Sequence, residues 1–273
     1  MEYIIERQHK FSLGLKELIR YRELFYFFTW RDVKVKYKQA TLGVLWAILQ
    51  PLIMMLIFTL IFSRGLNVKS ENGIPYEVFA FSGLIIWNIF STGLLNSANS
   101  MVTNANIIKK IYFPRLIVPM SAILISLFDF CFAFVIYIGI IIFYHQETNW
   151  LRLLYCLPIS LFLTVLTTFG LGAFLAALNV KYRDFQYVIP FLIQFLLFAN
   201  PVLYSSKIFE KGILAMIMKF NPLANAINLS RSAFTNTPID WAGVMYGTLV
   251  AVIILFIGVY TFRKMEAYFA DLA

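Results

Sequence analysis

Residues 116–144 read LIVPMSAILISLFDFCFAFVIYIGIIIFY, a run of 29 residues in which Asp129 is the one charged side chain. An α-helix crosses the ~30 Å hydrocarbon core of a bilayer with about 20 residues, because each residue rises ~1.5 Å. The whole chain has the same character, since 60% of its 273 residues are hydrophobic and 14% are charged. Soluble domains are about 25% charged. The sequence therefore predicts a membrane protein and excludes a soluble enzyme, a secreted disulfide scaffold and a disordered linker.

Five further apolar runs of similar length flank this stretch on both sides. The second run is the weakest, because Ser, Thr and Asn occur throughout it. We expect an all-α integral membrane protein with a leader, residues 1–41, and a single transmembrane domain, residues 42–273. The six predicted spans are about 42–63, 76–96, 116–144, 153–178, 185–204 and 241–262.

The Lys and Arg residues cluster on one side of these spans. Most lie in the leader, in the second-to-third and fourth-to-fifth connections and in the tail, whereas few, Arg231 among them, fall on the other side. Because cytoplasmic loops carry the excess of Lys and Arg, both termini are expected in the cytoplasm. The net charge of +9 is then explained by anionic lipid headgroups, and we expect no nucleic-acid partner.

The leader contains apolar residues at helical spacing with basic residues between them. This pattern predicts an amphipathic helix that lies at the headgroup boundary of the membrane. A helix packed on a partner protein is the alternative. The apolar set is Leu18, Tyr21, Phe25 and Phe28.

Residues 205–236 contain two short apolar pieces, Ile213–Met218 and Leu223–Phe234, separated by Asn221–Pro222. Each piece is about half the length needed to cross a membrane. We expect a re-entrant helical hairpin on the outer side, which is stable where protein or a water-filled cavity covers its backbone. An ordinary extracellular loop is the alternative.

The chain has few residues suited to catalysis. Its histidines, His9 and His145, and its cysteines, Cys131 and Cys156, have no metal-ligand spacing, and no GxxxxGK[ST] motif is present. We therefore expect no enzyme activity, no metal site and no cofactor bound by this chain. Asp129 is expected to have a structural role, either hydrogen-bonded to a neighbouring helix or neutral, although a proton relay is an alternative.

Polar residues share one face of the second span. Asn88, Thr92, Asn96 and Asn99 recur at i, i+4, i+8 and i+11. Amides that face lipid are costly, so these residues should face another helix or a pore. Contact with another helix and pore lining explain the pattern equally well.

Aromatic residues form a stripe along the fifth span. Packing or anchoring in lipid is the ordinary explanation of such a stripe. A pore wall over which sugar rings slide is the alternative. The stripe consists of Tyr187, Phe191, Phe195 and Phe198 and ends near Tyr204.

The connection Asn104–Arg115 mixes apolar residues with Lys109 and Lys110 and stops at Pro114. A short amphipathic helix here would dock in a groove of a soluble partner. A turn at the membrane surface is an equally good explanation of the composition.

Four stretches resemble the permease subunit of polysaccharide-exporting ABC transporters, the family that exports O-antigen, capsule and teichoic-acid chains. The resemblance implies a multi-pass subunit of the bacterial inner (plasma) membrane that pairs with a second copy of itself. It also implies two ATP-binding cassette subunits that bind ATP and Mg²⁺, and a lipid-linked glycan as cargo. The stretches are WRDVKVKYKQATLGVLWAILQP (30–51), IKKIYFPRLIVP (108–119), VKYRD (180–184) and NPLANAINLSR (221–231).

The resemblance implies roles for particular residues. Arg31, Lys34 and Lys36 would attract the cargo phosphate at the cytoplasmic entrance, although anionic lipid explains these charges nearly as well. An exporter of a drug or small lipid, and less favourably a glycan-processing membrane enzyme, are the alternative functions. The implied ATPase-coupling residues are Ile107, Ile108, Lys109, Lys110, Ile111, Tyr112 and Phe113. The implied channel lining is Asn88, Thr92, Asn96, Tyr187, Phe191, Phe195, Phe198 and Tyr204.

Overall fold

The computed structural model describes residues 20–38, 43–65, 73–111, 113–182, 184–209, 212–235 and 237–266. These residues form helices and connecting loops, so the all-α prediction is confirmed for this part of the chain. In order, the helices are α1 (Arg22–Lys38), α2 (Leu45–Phe58, continued by a π-helix, Thr59–Gly65), α3 (Tyr76–Thr103), α4 (Ala105–Ile108), α5 (Ile117–Phe143), α6 (Trp150–Lys181), α7 (Phe185–Ala199), a 3₁₀ turn (Ser206–Phe209), α8 (Ile213–Phe220), α9 (Pro222–Thr235) and α10 (Trp241–Met265).

Five of the described helices are long and apolar enough to cross a membrane: α2 with its π continuation, α3, α5, α6 and α10. The predicted span 185–204 is a helix of 15 residues, α7, which is ~22 Å long. It ends at Ala199 because Asn200 precedes Pro201 and has an extended backbone, as residues before proline prefer. The predicted count of six spans is therefore not confirmed by helix length.

The helix with the weakest sequence signal, α3, is the central helix of the fold. It continues to Thr103, beyond the predicted end at residue 96, and it packs against α2, α5, α6, α7 and α9. The hydroxyls of Ser82 and Ser100 donate to carbonyls three residues earlier in the same helix, at 2.7 and 2.6 Å. Since their hydrogen bonds are local, these polar side chains are compatible with a buried helix.

The leader helix α1 packs on the protein through the face that we predicted to contact lipid. Phe28 is 1% exposed, and its ring lies 5.4 Å from that of Phe113. Tyr21 and Phe25 are half-buried in the same cluster, and Leu18 lies outside the described residues. The position of α1 at the membrane surface stays a prediction; the exposed aromatic residues of the helix are Tyr26, Phe27 and Trp30.

The two short helices predicted before the last span are present as α8 and α9. Asn221 separates them, and its Oδ1 accepts from the backbone N–H of Leu223 at 3.0 Å as a helix cap. No residue of α8 is buried, whereas α9 is buried against α3, α6 and α10. Their depth in the membrane stays a prediction.

Helices α6 and α10 cross at Gly170 and Gly258. A Cβ atom on Gly170 would lie 2.7 Å from the backbone nitrogen of Leu255, and one on Gly258 would overlap the carbonyl group of Gly170. Small residues let helix backbones approach in this way, and the dispersion energy of the contact depends on that approach.

We expect Gly258→Ala to push α10 away from α6 and to lower the free energy of unfolding by about 1–3 kcal/mol. Thermal unfolding of the purified protein in detergent measures the effect. Gly139→Ala is the matched control, because a Cβ on Gly139 of α5 meets no atom within 4 Å. Equal melting temperatures for the two variants would contradict the close contact.

Candidate transport groove and coupling segment

Most residues of helix α3 are buried, but several polar residues along one face form a stripe that is partly exposed. Glu77 and Leu95 are also partly exposed, and Val102 and Thr103 are exposed at the end of the helix. At the cytoplasmic end predicted for α3, Asn99 Oδ1 accepts from Asn179 Nδ2 of α6 at 2.9 Å, so this amide serves helix packing. Nearer the middle the stripe stays accessible. Its partly exposed polar residues are Asn88, Ser91, Thr92, Asn96 and Asn99.

At Asn88 and Ser91 the stripe borders a groove between α2 and α7. Both helices contact α3, and at the level of Asn88 a small cavity brings Gln50 of α2 and Leu197 of α7 to the same place. We call the open polar residues of α3, together with Gln50 and Leu197, the polar groove. The exposed large side chains on the α2 wall are apolar, among them Leu45, Trp46, Ile53, Met54, Leu56 and Ile57.

The aromatic stripe of α7 lies on the opposite face from the one that packs on the protein. Ile189 is fully buried on the packed face. The half-buried Tyr204 donates its hydroxyl to the carbonyl of Phe198 at 3.0 Å. One chain therefore does not bring the polar and aromatic linings together. The exposed fractions are 81% for Tyr187, 72% for Phe191, 61% for Phe195 and 57% for Phe198.

We call residues 107–113, which were predicted to form a coupling helix, the coupling segment. It begins in a single helical turn, α4, and its described residues after Ile108 are irregular. The helix stops at Ile108, ahead of Pro114, which disfavours helical backbone in the residue before it. Ile108 and Phe113 are buried, and Ile107 is half-buried against the same cluster. The exposed residues are Lys109, Lys110 and Ile111, and Tyr112 lies outside the described residues.

Two of the three predicted entrance cations contact other parts of the protein. Arg31 donates to Asp32 Oδ1 at 2.7 Å and to Asn104 Oδ1, at the end of α3, at 2.6 Å. Lys36 forms an ion pair with Asp129 of α5. Lys34 is exposed and lies over the ring of Trp30, 5.3 Å from its centroid.

Sequence reasoning placed Arg231 outside the spans, but its side chain is buried in the fold, 4% exposed. From α9 it donates to the Pro201 carbonyl at 2.6 Å, to the Phe79 carbonyl at 3.2 Å and to the Val202 carbonyl. Its guanidinium carbon lies 3.8 Å from the centroid of the Phe79 ring. Arg231 thus ties α9 to the first turn of α3 and to the loop after α7, and no local sequence signal reveals this.

A polar cavity of about 250 Å³ lies beside Arg231, between α9 and the start of α10. Two of the polar side chains that line it, Asn225 and Asp240, bind backbone groups. Asn225 Nδ2 donates to the carbonyls of Lys219 and Asn221, each at 2.9 Å, and Asp240 caps α10 by accepting from the N–H of Gly243 at 3.0 Å. We therefore assign this cavity to helix capping.

Comparison with known proteins agrees with this architecture. The family model described as ABC-2 type transporter matches residues 23–235. An O-antigen export system permease protein RfbA of Klebsiella pneumoniae is 29% identical over 262 residues, covering 96% of this chain and 99% of the relative. The RfbA protein of Myxococcus xanthus is 28% identical over 94% of this chain and 98% of its own length.

A more distant relative is the polysialic acid transport protein KpsM of Escherichia coli, 25% identical over 86% of this chain and 91% of its own length. The matched region runs from α1 to the end of α9 and includes the polar groove and the coupling segment. The resemblance inferred from four short stretches is confirmed at the level of the family. This chain belongs to the ABC-2 type transporter family of membrane proteins.

Proposed function

We propose that this chain is the transmembrane subunit of an ATP-driven exporter that moves a lipid-linked polysaccharide out of the cytoplasm. The cargo is of the O-antigen, capsule or teichoic-acid type, and the membrane is the bacterial inner membrane. The polar groove carries the proposal, because the central helix of a membrane protein leaves amides and hydroxyls partly exposed along one face. The amides of Asn88 and Asn96 offer hydrogen bonds to sugar hydroxyls that lipid chains do not provide. The hydroxyls of Ser91 and Thr92 donate to the carbonyl of Asn88 in the same helix. The O-antigen export permeases that match over nearly the whole chain support the cargo class.

A second copy of the chain would close the groove into a path. The exposed faces of α2 and α7 are mainly apolar, although they include Gln50, Gln186 and Gln194. Lipid suits these faces better than the amides of α3 between them. Two chains packed through α2 and α7 would surround one path with both polar stripes. The aromatic stripes of α7 would then present flat apolar faces to sugar rings.

The proposed arrangement has six spans, with both termini in the cytoplasm. In it, α7 and the residues up to Tyr204 together form the fifth span, and α8 and α9 form a re-entrant hairpin at the outer exit. Two separate ATP-binding cassette subunits bind ATP and Mg²⁺ and contact Lys109, Lys110 and Ile111. ATP drives transport if the closed ATPase pair favours one separation of the two permeases over another.

Affinity purification of the chain from its native membrane, with mass spectrometry of the bound proteins and lipids, tests the proposal. An ATPase subunit together with a diphosphate-linked glycan supports polysaccharide export. An ATPase without glycan favours an exporter of a drug or small lipid. Absence of both, in a detergent that preserves such complexes, contradicts the proposal and returns attention to a glycan-processing enzyme.

We expect Asn88→Leu combined with Asn96→Leu to reduce glycan export about tenfold, since each lost hydrogen bond to sugar is worth ~0.5–1.5 kcal/mol. Both side chains are partly exposed, so the fold should tolerate leucine there. Export in reconstituted vesicles and the amount of assembled complex are measured together. Thr248→Leu on α10, outside the polar groove, is the control. Normal export by the double variant would exclude the groove from the path.

A further inference from the structure

Asp129 lies twelve positions after Ile117, the first residue of α5, and is therefore ~18 Å along a helix that crosses the membrane. It is 3% exposed. A carboxylate at such a position is costly unless a partner neutralises it. The contacts of Asp129 therefore show which part of the protein is attached to α5 at this depth.

Both partners of Asp129 come from the last turn of α1. Lys36 Nζ donates to Oδ2, and the Tyr37 hydroxyl donates to Oδ1. The ring of Tyr37 also packs against Phe128, with centroids 5.6 Å apart. Burial, and after it the hydrogen bond and charge of Asp129, raise the pKa of Tyr37, so its phenol keeps the proton that it donates. The C-terminal end of α1 is thus fastened to the middle of α5.

The first half of α1 is fastened to the loop that carries the exposed coupling residues. Phe28 packs on Phe113, with ring centroids 5.4 Å apart, and Arg31 donates to Asn104 Oδ1 at 2.6 Å. Asn104 and Phe113 flank the exposed segment 109–111. From Phe28 to Tyr37, α1 spans ~13 Å as a continuous helix.

The chain between this segment and α5 is irregular, since the described residues from Lys109 to Leu116 form turns and bends. If a partner displaced residues 109–111, local bending of this irregular chain would keep the displacement from reaching α5. Helix α1 contacts Asn104 and Phe113 near its middle and Asp129 at its end. Because a helix is stiff, these contacts prevent the coupling segment from moving independently of α5. The middle of α5 must then follow the coupling segment.

We propose that α1 is a strut that passes the displacement of the coupling segment to the middle of α5, and that Asp129 is the positioning residue holding its far end. The inference rests on the proposed function, in which an ATPase subunit moves residues 109–111. It assigns Lys36 to this joint rather than to the binding of cargo phosphate.

Asp129→Asn tests the strut in the complex with its ATPase subunits, reconstituted in vesicles. Asparagine has the size of aspartate but no charge, so it weakens the joint with little change in packing. We expect ATP hydrolysis within about twofold of wild type and glycan exported per ATP lowered about fivefold, as for the loss of a modest coupling energy. Asp129→Glu restores the carboxylate and should recover most of the ratio.

The control is Glu266→Gln, which removes the charge from another ion pair, with Arg263 at 3.0 Å, outside the strut. It should leave the export-to-ATP ratio unchanged. Tyr37→Phe removes one donor to Asp129 and tests the strut if the Asp129→Asn protein fails to accumulate. It should lower the export-to-ATP ratio about twofold.

An unchanged ratio in Asp129→Asn or in Tyr37→Phe overturns the strut while leaving the proposed function intact. A proportional fall in folded protein, hydrolysis and export would give Asp129 a purely structural role and also overturns it. A wild-type complex that hydrolyses ATP without exporting glycan overturns the proposed function itself. The wild-type measurement therefore separates the two failures.

Discussion

We expect Arg231→Leu to destabilise the protein by about 2–5 kcal/mol, since it removes the shared donor of several buried carbonyls. The guanidinium donates to the carbonyls of Phe79, Pro201 and Val202. Leucine would leave the carbonyls of Pro201 and Val202 without this donor, whereas the Phe79 carbonyl still accepts from the Ser82 hydroxyl. Each buried unsatisfied polar group costs ~1–3 kcal/mol. The first turn of α3, the loop after α7 and helix α9 would lose their common contact, so the structure around the first turn of α3 should loosen first.

Thermal unfolding in detergent should show a melting temperature lower by roughly 5–10 °C for a chain of this size. Arg64→Leu makes the same chemical change at an exposed site at the end of the π-helix and serves as the control. Gly83→Ala should reproduce part of the loss, because a Cβ at Gly83 would overlap the guanidinium of Arg231. Equal melting temperatures for Arg231→Leu and Arg64→Leu would show that the buried network contributes little.

The positions of the long helices could be predicted because the length of an apolar run is a local property of the chain. The third predicted span, residues 116–144, differs from α5 by one residue at each end. The end of α3 was missed because the prediction stopped at Asn96, where polar residues continue. Ser100 makes its hydrogen bond to a carbonyl of its own helix, so its polarity does not end that helix.

The roles of the charged residues could not be predicted, because their partners are distant in sequence. Arg231 contacts Ser82, 149 residues away, and Lys36 contacts Asp129, 93 residues away. In the sequence, Arg231 and Lys36 were both counted as charges near lipid headgroups. In the structure, Arg231 is buried and Lys36 forms an ion pair. The hydrogen bond to a neighbouring helix that we expected for Asp129 is present, but the identity of its partners, Lys36 and Tyr37, required the fold.

The coupling segment shows the same division between local pattern and tertiary contact. The mixture of isoleucines and lysines between the second and third spans predicted a short amphipathic helix or a turn at the membrane surface, and the structure has a single helical turn, Ala105–Ile108, at this position. Its periodicity could not separate Ile108, which is 5% exposed, from Ile111, which is 57% exposed. The difference arises because Ile108 packs into the cluster that contains Phe28, a residue about eighty positions earlier.

Ile111 is therefore the residue of the coupling segment where substitution should have the largest effect on transport. It is an apolar side chain exposed beside Lys109 and Lys110, and burial in a cleft of the ATPase subunit would remove it from water. We expect Ile111→Asp to weaken assembly with the ATPase about 100-fold, because aspartate loses this burial and brings an unpaired charge into the cleft. Export should fall in proportion to the complex that remains.

Co-purification of the ATPase with each variant, followed by export from reconstituted vesicles, measures the effect. Ile208→Asp is the matched control, because Ile208 is 62% exposed in the 3₁₀ turn that we place on the outer side. Alanine at Lys109 and Lys110 together should have a smaller, salt-dependent effect, since charges at the rim of an interface mainly change the association rate. If Ile111→Asp retains its ATPase as well as Ile208→Asp does, the ATPase docks elsewhere on the chain. The exposed aromatic face of α1, with Tyr26, Phe27 and Trp30, would then be the next surface to test.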